Sequence, residues 1–110
     1  MIAVTILRRK GEPVGFLSSG HAGYADYGSD IVCSAVSALT QTCCIGLAEV
    51  LRIRADITVS EETGICCRIG AGNSAEQTDR AALLIQTMEA GLRSIGEAYP
   101  DTLKIVYREV

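Results

Sequence analysis

The apolar residues of this chain change their spacing four times, and those changes leave few folds open. Residues 2–9 alternate as a half-buried strand does, and residues 14–19 read the same way. Lys10, Gly11, Glu12 and Pro13 between them read as a turn, so the first unit is a hairpin. From Ile31 the period lengthens. Val32, Val36, Leu39, Cys43, Leu47, Val50 and Leu51 recur every three or four residues, one face of a helix running to about Arg52. Asp30 stands before it as an N-cap. Residues 55–60 alternate again, Glu62, Thr63 and Gly64 turn the chain, and residues 65–69 complete a second hairpin. Ser74 followed by Gln77 is a capping-box pattern. Ala81, Leu84, Ile85, Met88, Leu92 and Ile95 form the next apolar stripe, which Tyr99 and Pro100 end. Leu103, Ile105 and Tyr107 alternate with Lys104, Val106 and Arg108 in a last strand. The order ββαββαβ predicts a two-layer α+β domain, a mostly antiparallel sheet with two helices packed on it.

Bulk properties narrow the function. The 110 residues suit a single domain, 1–110, and 48% hydrophobic content supplies a core without metal or disulfide staples. A net charge of −3 argues against general nucleic-acid binding and mildly favours a basic partner. Arg8, Arg9 and Lys10 read as a solvated turn. Residues 1–7 are too short for a signal peptide with its cleavage site and alternate like a strand. No apolar run reads as a membrane span, so a soluble, cytoplasmic protein is expected. Five cysteines, an odd number, read as thiols in such a compartment. Cys43–Cys44 and Cys66–Cys67 are adjacent pairs that point to different sides of an element. They suit core filling better than a metal site, and neither metal nor cofactor is expected.

The chemistry-bearing stretch is Gly20-His21-Ala22 followed by a glycine-containing loop and Asp30-Ile31-Val32-Cys33-Ser34. His21, the single histidine, ends the second strand. Cys33 falls at the third position of the first helix if Asp30 is the cap. Free N–H groups and the positive end of the helix dipole favour a thiolate there. Helix starts and histidine partners bring cysteine pKa values from about 8.5 into a range of roughly 3.5–7.5. His21 can hold the ion pair and then protonate a leaving amine, help worth about 10²–10⁴ in rate. Backbone N–H groups at the helix start could bind an oxyanion. Asp30 could instead orient His21, and the residues leave both roles open. Each residue alone also has a structural reading, a small buried thiol and a hydrogen-bonded strand end.

The loop over residues 22–29 joins the two candidate elements. Its bulky side chains are Tyr24 and Tyr27, so it buries little apolar area to offset the entropy of ordering. It is expected to be mobile and to close over a bound peptide, with the tyrosines covering apolar substrate and Asp26 meeting basic residues. An ordinary surface connection is the alternative. One rival motif, Gly70-Ala71-Gly72-Asn73-Ser74-Ala75, fits the dinucleotide pattern G-x-G-x-x-A. That pattern needs an acidic residue about twenty positions on, at the end of the next strand. Here that position is still helical, so a strand exit and a capped helix start are the better reading.

Gly20-His21-Ala22, followed by Asp30-Ile31-Val32-Cys33-Ser34-Ala35-Val36-Ser37-Ala38-Leu39, resembles the ribosomal-processing cysteine protease (Prp) family of bacteria. The match is specific over residues 20–39, and the element order and length extend it over the chain. The resemblance implies a homodimeric endopeptidase that removes the N-terminal extension of large-subunit ribosomal protein twenty-seven during ribosome assembly. It implies His21 and Cys33 as the catalytic pair, with Gly20, Asp30 and Ser37 as supporting motif positions. It carries no motif into the second half of the chain. A non-catalytic ribosome-associated module and a thiol acyltransferase are the competing classes.

Overall fold

Lys10 and Gly11 both take left-handed backbone, φ 53° and 80°. Two such residues in succession form the hairpin turn whose twist matches that of paired strands. The turn is therefore two residues long, and β1 (Ile2–Arg9) and β2 (Glu12–Ser19) extend up to it. Pro13, expected in the turn, lies inside β2. The ladder shifts register there, between Leu7 and Arg8, and such an irregularity tolerates a residue without an N–H. The computed structural model describes residues 1–23, 25–26 and 30–110.

The remaining elements are α1 (Ile31–Ile45), β3 (Ala55–Ser60), β4 (Gly64–Ile69), α2 (Ala75–Ala98) and β5 (Leu103–Glu109). The helical path of α1 continues through a π-wound stretch, Gly46–Val50, before leaving at Leu51. Wider π turns rotate later residues off the stripe set by a 3.6 period. That is why Val50, expected on the buried face, is 77% exposed, whereas Leu47 is fully buried. In α2 the expected capping box forms. Ser74 Oγ accepts from Gln77 N, and Gln77 Oε1 accepts from Ser74 N at 2.7 Å.

The five strands form one sheet in the order β3-β4-β2-β1-β5. β1–β2, β2–β4 and β3–β4 are antiparallel, as expected. β1–β5 is parallel, so the sheet is mixed. The alternation in residues 103–108 shows a strand but not its direction, which comes from α2 carrying the chain back along the sheet. Each helix is a crossover: α1 joins β2 to β3 across β4, and α2 joins β4 to β5 across β2 and β1.

One face of the sheet contributes Ile2, Val4, Ile6, Phe16, Ile65 and Cys67 to a single apolar cluster. The same cluster takes Val32, Val36, Cys43, Cys44 and Leu47 from the α1 path and Ala81, Ile85, Met88 and Leu92 from α2. Both helices therefore cover the same face, and the layers are two. Each large aliphatic or aromatic side chain buried here contributes roughly 1.5–3 kcal/mol, an upper bound for an extended unfolded chain. Asp56, Thr58, Arg68, Lys104 and Arg108 lie exposed on the other face.

Residues Ile31–Val50 have a mean hydropathy of 1.7 over a length that could cross a bilayer. The expectation that no run reaches that length is thus corrected. The same stretch supplies Val32, Val36, Thr40, Cys43, Cys44 and Leu47 to the interior against the sheet and α2. Core helices commonly show this composition, so the segment is weak support for a span.

Candidate active site

Two backbone close approaches build the end of the sheet where His21 stands. Gly20 has φ +93°, and a Cβ there would lie 2.6 Å from the Met1 carbonyl oxygen. Gly64 has φ +79°, and its Cβ would lie 1.9 Å from the Ser18 carbonyl oxygen. Only glycine fits either position. The first lets the chain leave β2 tight against the start of β1, which directs it toward α1. The second seats the β3–β4 turn against the end of β2.

Asp30 organises the other side. Its Oδ1 accepts from Val32 N at 2.9 Å and Cys33 N at 3.0 Å, and its Oδ2 accepts from Ala25 N at 3.3 Å. Its carbonyl accepts from Ser34 N at 3.1 Å and from Ser34 Oγ at 3.2 Å. Asp30 is therefore the N-cap that the sequence suggested, and it is buried. The cap has a chemical consequence. The amides of Val32, Cys33 and Ser34 are all engaged within the protein, so these three are not free to hold an oxyanion. At these three positions the first turn offers the sulfur its dipole, equivalent to roughly half a positive charge, and not free N–H groups.

Cys33 stands on that turn, half-buried, and its sulfur accepts a hydrogen bond from Ala22 N at 3.2 Å. Ala22 directly follows His21, so this bond ties the histidine-bearing segment to the helix start. His21 is exposed. His21, Cys33 and Ser37 line two adjoining cavities of about 370 and 440 Å³, which together form one cleft. The first is completed by Gly23, Ala25, Asp30 and Ser34. The second runs between α1 and the β3–β4 hairpin and includes Gly20, Ser18, Thr40, Gln41, Glu61 and Glu62. His21, Cys33, Gly20, Asp30 and Ser37 are thus brought together. Asp26 is exposed and lines neither cavity. Tyr24 and Tyr27, with Gly28 and Ser29, lie outside the described residues, and so does half of the expected lid.

Of the other four thiols, Cys43, Cys44 and Cys67 belong to the interior, and Cys66 is half-buried. Burial first, and then Cys44 close by, push the Cys43 thiol up to about 12. Cys67 is pushed up still further by its hydrogen bond with Cys44 and then by burial, and that bond draws Cys44 down. All three sit in the apolar cluster between the helices and the sheet. Among the described residues, no three metal-ligating side chains come together. The glycine-rich stretch at residues 70–75 is a strand exit. The Asn73 side chain bridges Arg54 N, Arg54 O and Gly70 O at 2.8–2.9 Å, and Ser74 caps α2.

Sequence reasoning did not find Ser18, Thr40, Gln41, Glu61 and Glu62 as cleft residues. They come from three separate elements with no motif linking them. The double glutamate before a turn glycine was the one local signal.

Comparison with known proteins agrees with this fold. The sequence profile of the cysteine protease Prp family matches residues 1–104. The chain belongs to that family. It is 28% identical over 109 residues to the ribosomal processing cysteine protease Prp of Staphylococcus aureus, covering 98% of this chain and 100% of the relative. The crystal structure of the S. aureus Prp with a covalently linked product peptide superposes with a TM-score of 0.83 at 30% identity. It covers 98% of this chain and all of the other. A second structure of the S. aureus enzyme, with a substrate peptide, gives a TM-score of 0.78 at 28% identity, with coverage of 98% and 100%. This chain is accordingly a cysteine protease with the mixed two-layer fold of its family.

Proposed function

We propose that this protease removes the N-terminal extension of large-subunit ribosomal protein twenty-seven, with Cys33 as nucleophile and His21 as proton carrier. The observation that carries the assignment is the Ala22 N–H bond to the Cys33 sulfur, which joins the histidine segment to the thiol at the mouth of a peptide-sized cleft. The relatives named for ribosomal processing, and the S. aureus structures with product and substrate peptides, support it.

These positions support the following reaction. The Cys33 thiolate adds to the scissile carbonyl carbon. The C–N bond breaks as His21 gives its proton to the departing amine, leaving the extension on Cys33 as a thioester. Water then adds to the thioester carbonyl and passes a proton to His21, and Cys33 leaves as the thiolate. Asp30 acts as a positioning residue by fixing the turn that carries Cys33, while Gly20 sets the exit of β2 and Ser37 lines the cleft floor one turn on. Tyr24, Asp26 and Tyr27 contact the substrate from the connecting loop. The enzyme acts in the cytoplasm as a homodimer, bound to neither membrane nor nucleic acid. The exposed apolar side chains of Ile45, Val50 and Leu83 are consistent with a paired surface.

Mixing the purified protein with the extended ribosomal protein and weighing the products tests the assignment. Loss of the extension at one peptide bond, absent with Cys33→Ala, is the expected result. An uncut substrate, or cleavage that survives Cys33→Ala, overturns it.

A further inference from the structure

The second arm of the cleft carries features that the reaction itself does not use. It runs from Cys33 between α1 and the β3–β4 hairpin, and Glu61 and Glu62 stand at the hairpin end. Both glutamates are exposed, and neither forms an ion pair among the described residues. Among the described residues, no lysine or arginine lines either arm. Ser18 is an independent sign that this arm receives a ligand. The residue is 92% buried on the cleft floor, the complement of an 8% exposure. Its hydroxyl has no hydrogen-bond partner among the described residues. Among the described residues, no fully buried side-chain oxygen lacks a partner, so this hydroxyl reaches the cleft. A bound chain can pair this hydroxyl in place of the solvent that reaches it.

We propose that this arm is a specificity site for a cationic stretch of substrate. Ser18 hydrogen-bonds a polar group of the peptide, and Glu61 and Glu62 select a lysine or arginine side chain within a few residues of the scissile bond. The inference rests on the peptidase reading above and extends it to the chemistry that is chosen. Two carboxylates with no competing cation on a cleft wall give a potential that favours positive charge and disfavours acidic segments. Rim charges of this kind discriminate modestly and respond to salt. The hairpin is held at the cleft because Gly64 permits its close approach to Ser18, so the glutamates sit on a fixed turn.

The test uses the junction peptide of the extended ribosomal protein. It is compared with the same peptide carrying acetylated lysines and citrulline in place of arginine. The cationic peptide is expected to show a KM about three- to tenfold lower, a gap that narrows as sodium chloride rises. In Glu61→Gln/Glu62→Gln the ratio should fall to about one. It should persist in Glu97→Gln, an exposed carboxylate on α2 that lines neither arm. Ser18→Ala should raise KM for both peptides while the thermal midpoint holds. Binding to Cys33→Ser, measured by fluorescence anisotropy, should show the same preference without turnover. Equal KM values for both peptides in the wild type, or a ratio unchanged in the double variant, would overturn the inference and leave the peptidase reading standing. Absence of both cleavage and binding would overturn the two together.

Discussion

Replacing Asp30 tests whether its carboxylate is what builds the first turn of α1. Asp30→Ala removes the acceptor for Val32 N, Cys33 N and Ala25 N. Loss of an N-cap costs about 1 kcal/mol, within a range of roughly 0.5–2. Val32 is buried, so its amide does not gain water in exchange. A stranded buried donor costs about 1–3 kcal/mol. The two costs overlap, because the cap is the partner that is lost, and a total of about 2–3 kcal/mol follows. For a chain of this size that lowers the thermal midpoint by about 10 °C. Asp30→Asn retains an acceptor oxygen and should cost less than about 1 kcal/mol. Urea denaturation of the two variants, with matching m-values, measures the difference. Asp30→Ala should also slow alkylation of Cys33, since the frayed turn loses both its dipole and its place beside Ala22. A variant with alanine that unfolds within about 0.5 kcal/mol of the wild type would refute the reasoning.

Further outcomes follow from the same geometry. Cys33→Ala should abolish cleavage and keep the fold, while alanine at Cys43, Cys44 or Cys67 should keep activity and lose about 1 kcal/mol of stability, read by peptide assay and denaturation. His21→Ala should lose most activity, there being one histidine in the chain. Iodoacetamide labelling of Cys33 at mildly acidic pH should slow in that variant, and an unchanged rate would leave the helix start as the sole activator. The Cys43 thiol, pushed up to about 12 by burial, gives an alkaline dependence of defined sign. Below pH 9 the thiol is protonated folded and unfolded, and its contribution is fully present. Above that the unfolded chain ionises first, so stability should fall between pH 9 and 12 and fall less in Cys43→Val.

The elements were legible because their signals are local. A period of two or of three to four residues, a capping box at Ser74 and Gln77, and an aspartate before an apolar run each act within a few residues. The candidate site was legible as a cluster for the same reason, since the histidine and cysteine flank one short loop. What depends on distant contacts was not. The parallel direction of β5 is set by the path of α2 over the sheet, and the π stretch that exposes Val50 arises where α1 meets α2. Asp30 could be read as a cap, but sequence could not show that it also takes Ala25 N. The acidic arm of the cleft exists only because the β3–β4 turn folds back against β2.

Intact-protein mass spectrometry of the enzyme quenched in acid during turnover of the extended ribosomal protein addresses the central claim most directly. Peptide mapping then locates any adduct. The account predicts an added mass equal to the extension less one water, borne as a thioester on Cys33, persisting longer when His21 is replaced. An adduct on any other residue, or a full rate of cleavage by Cys33→Ala, would contradict it.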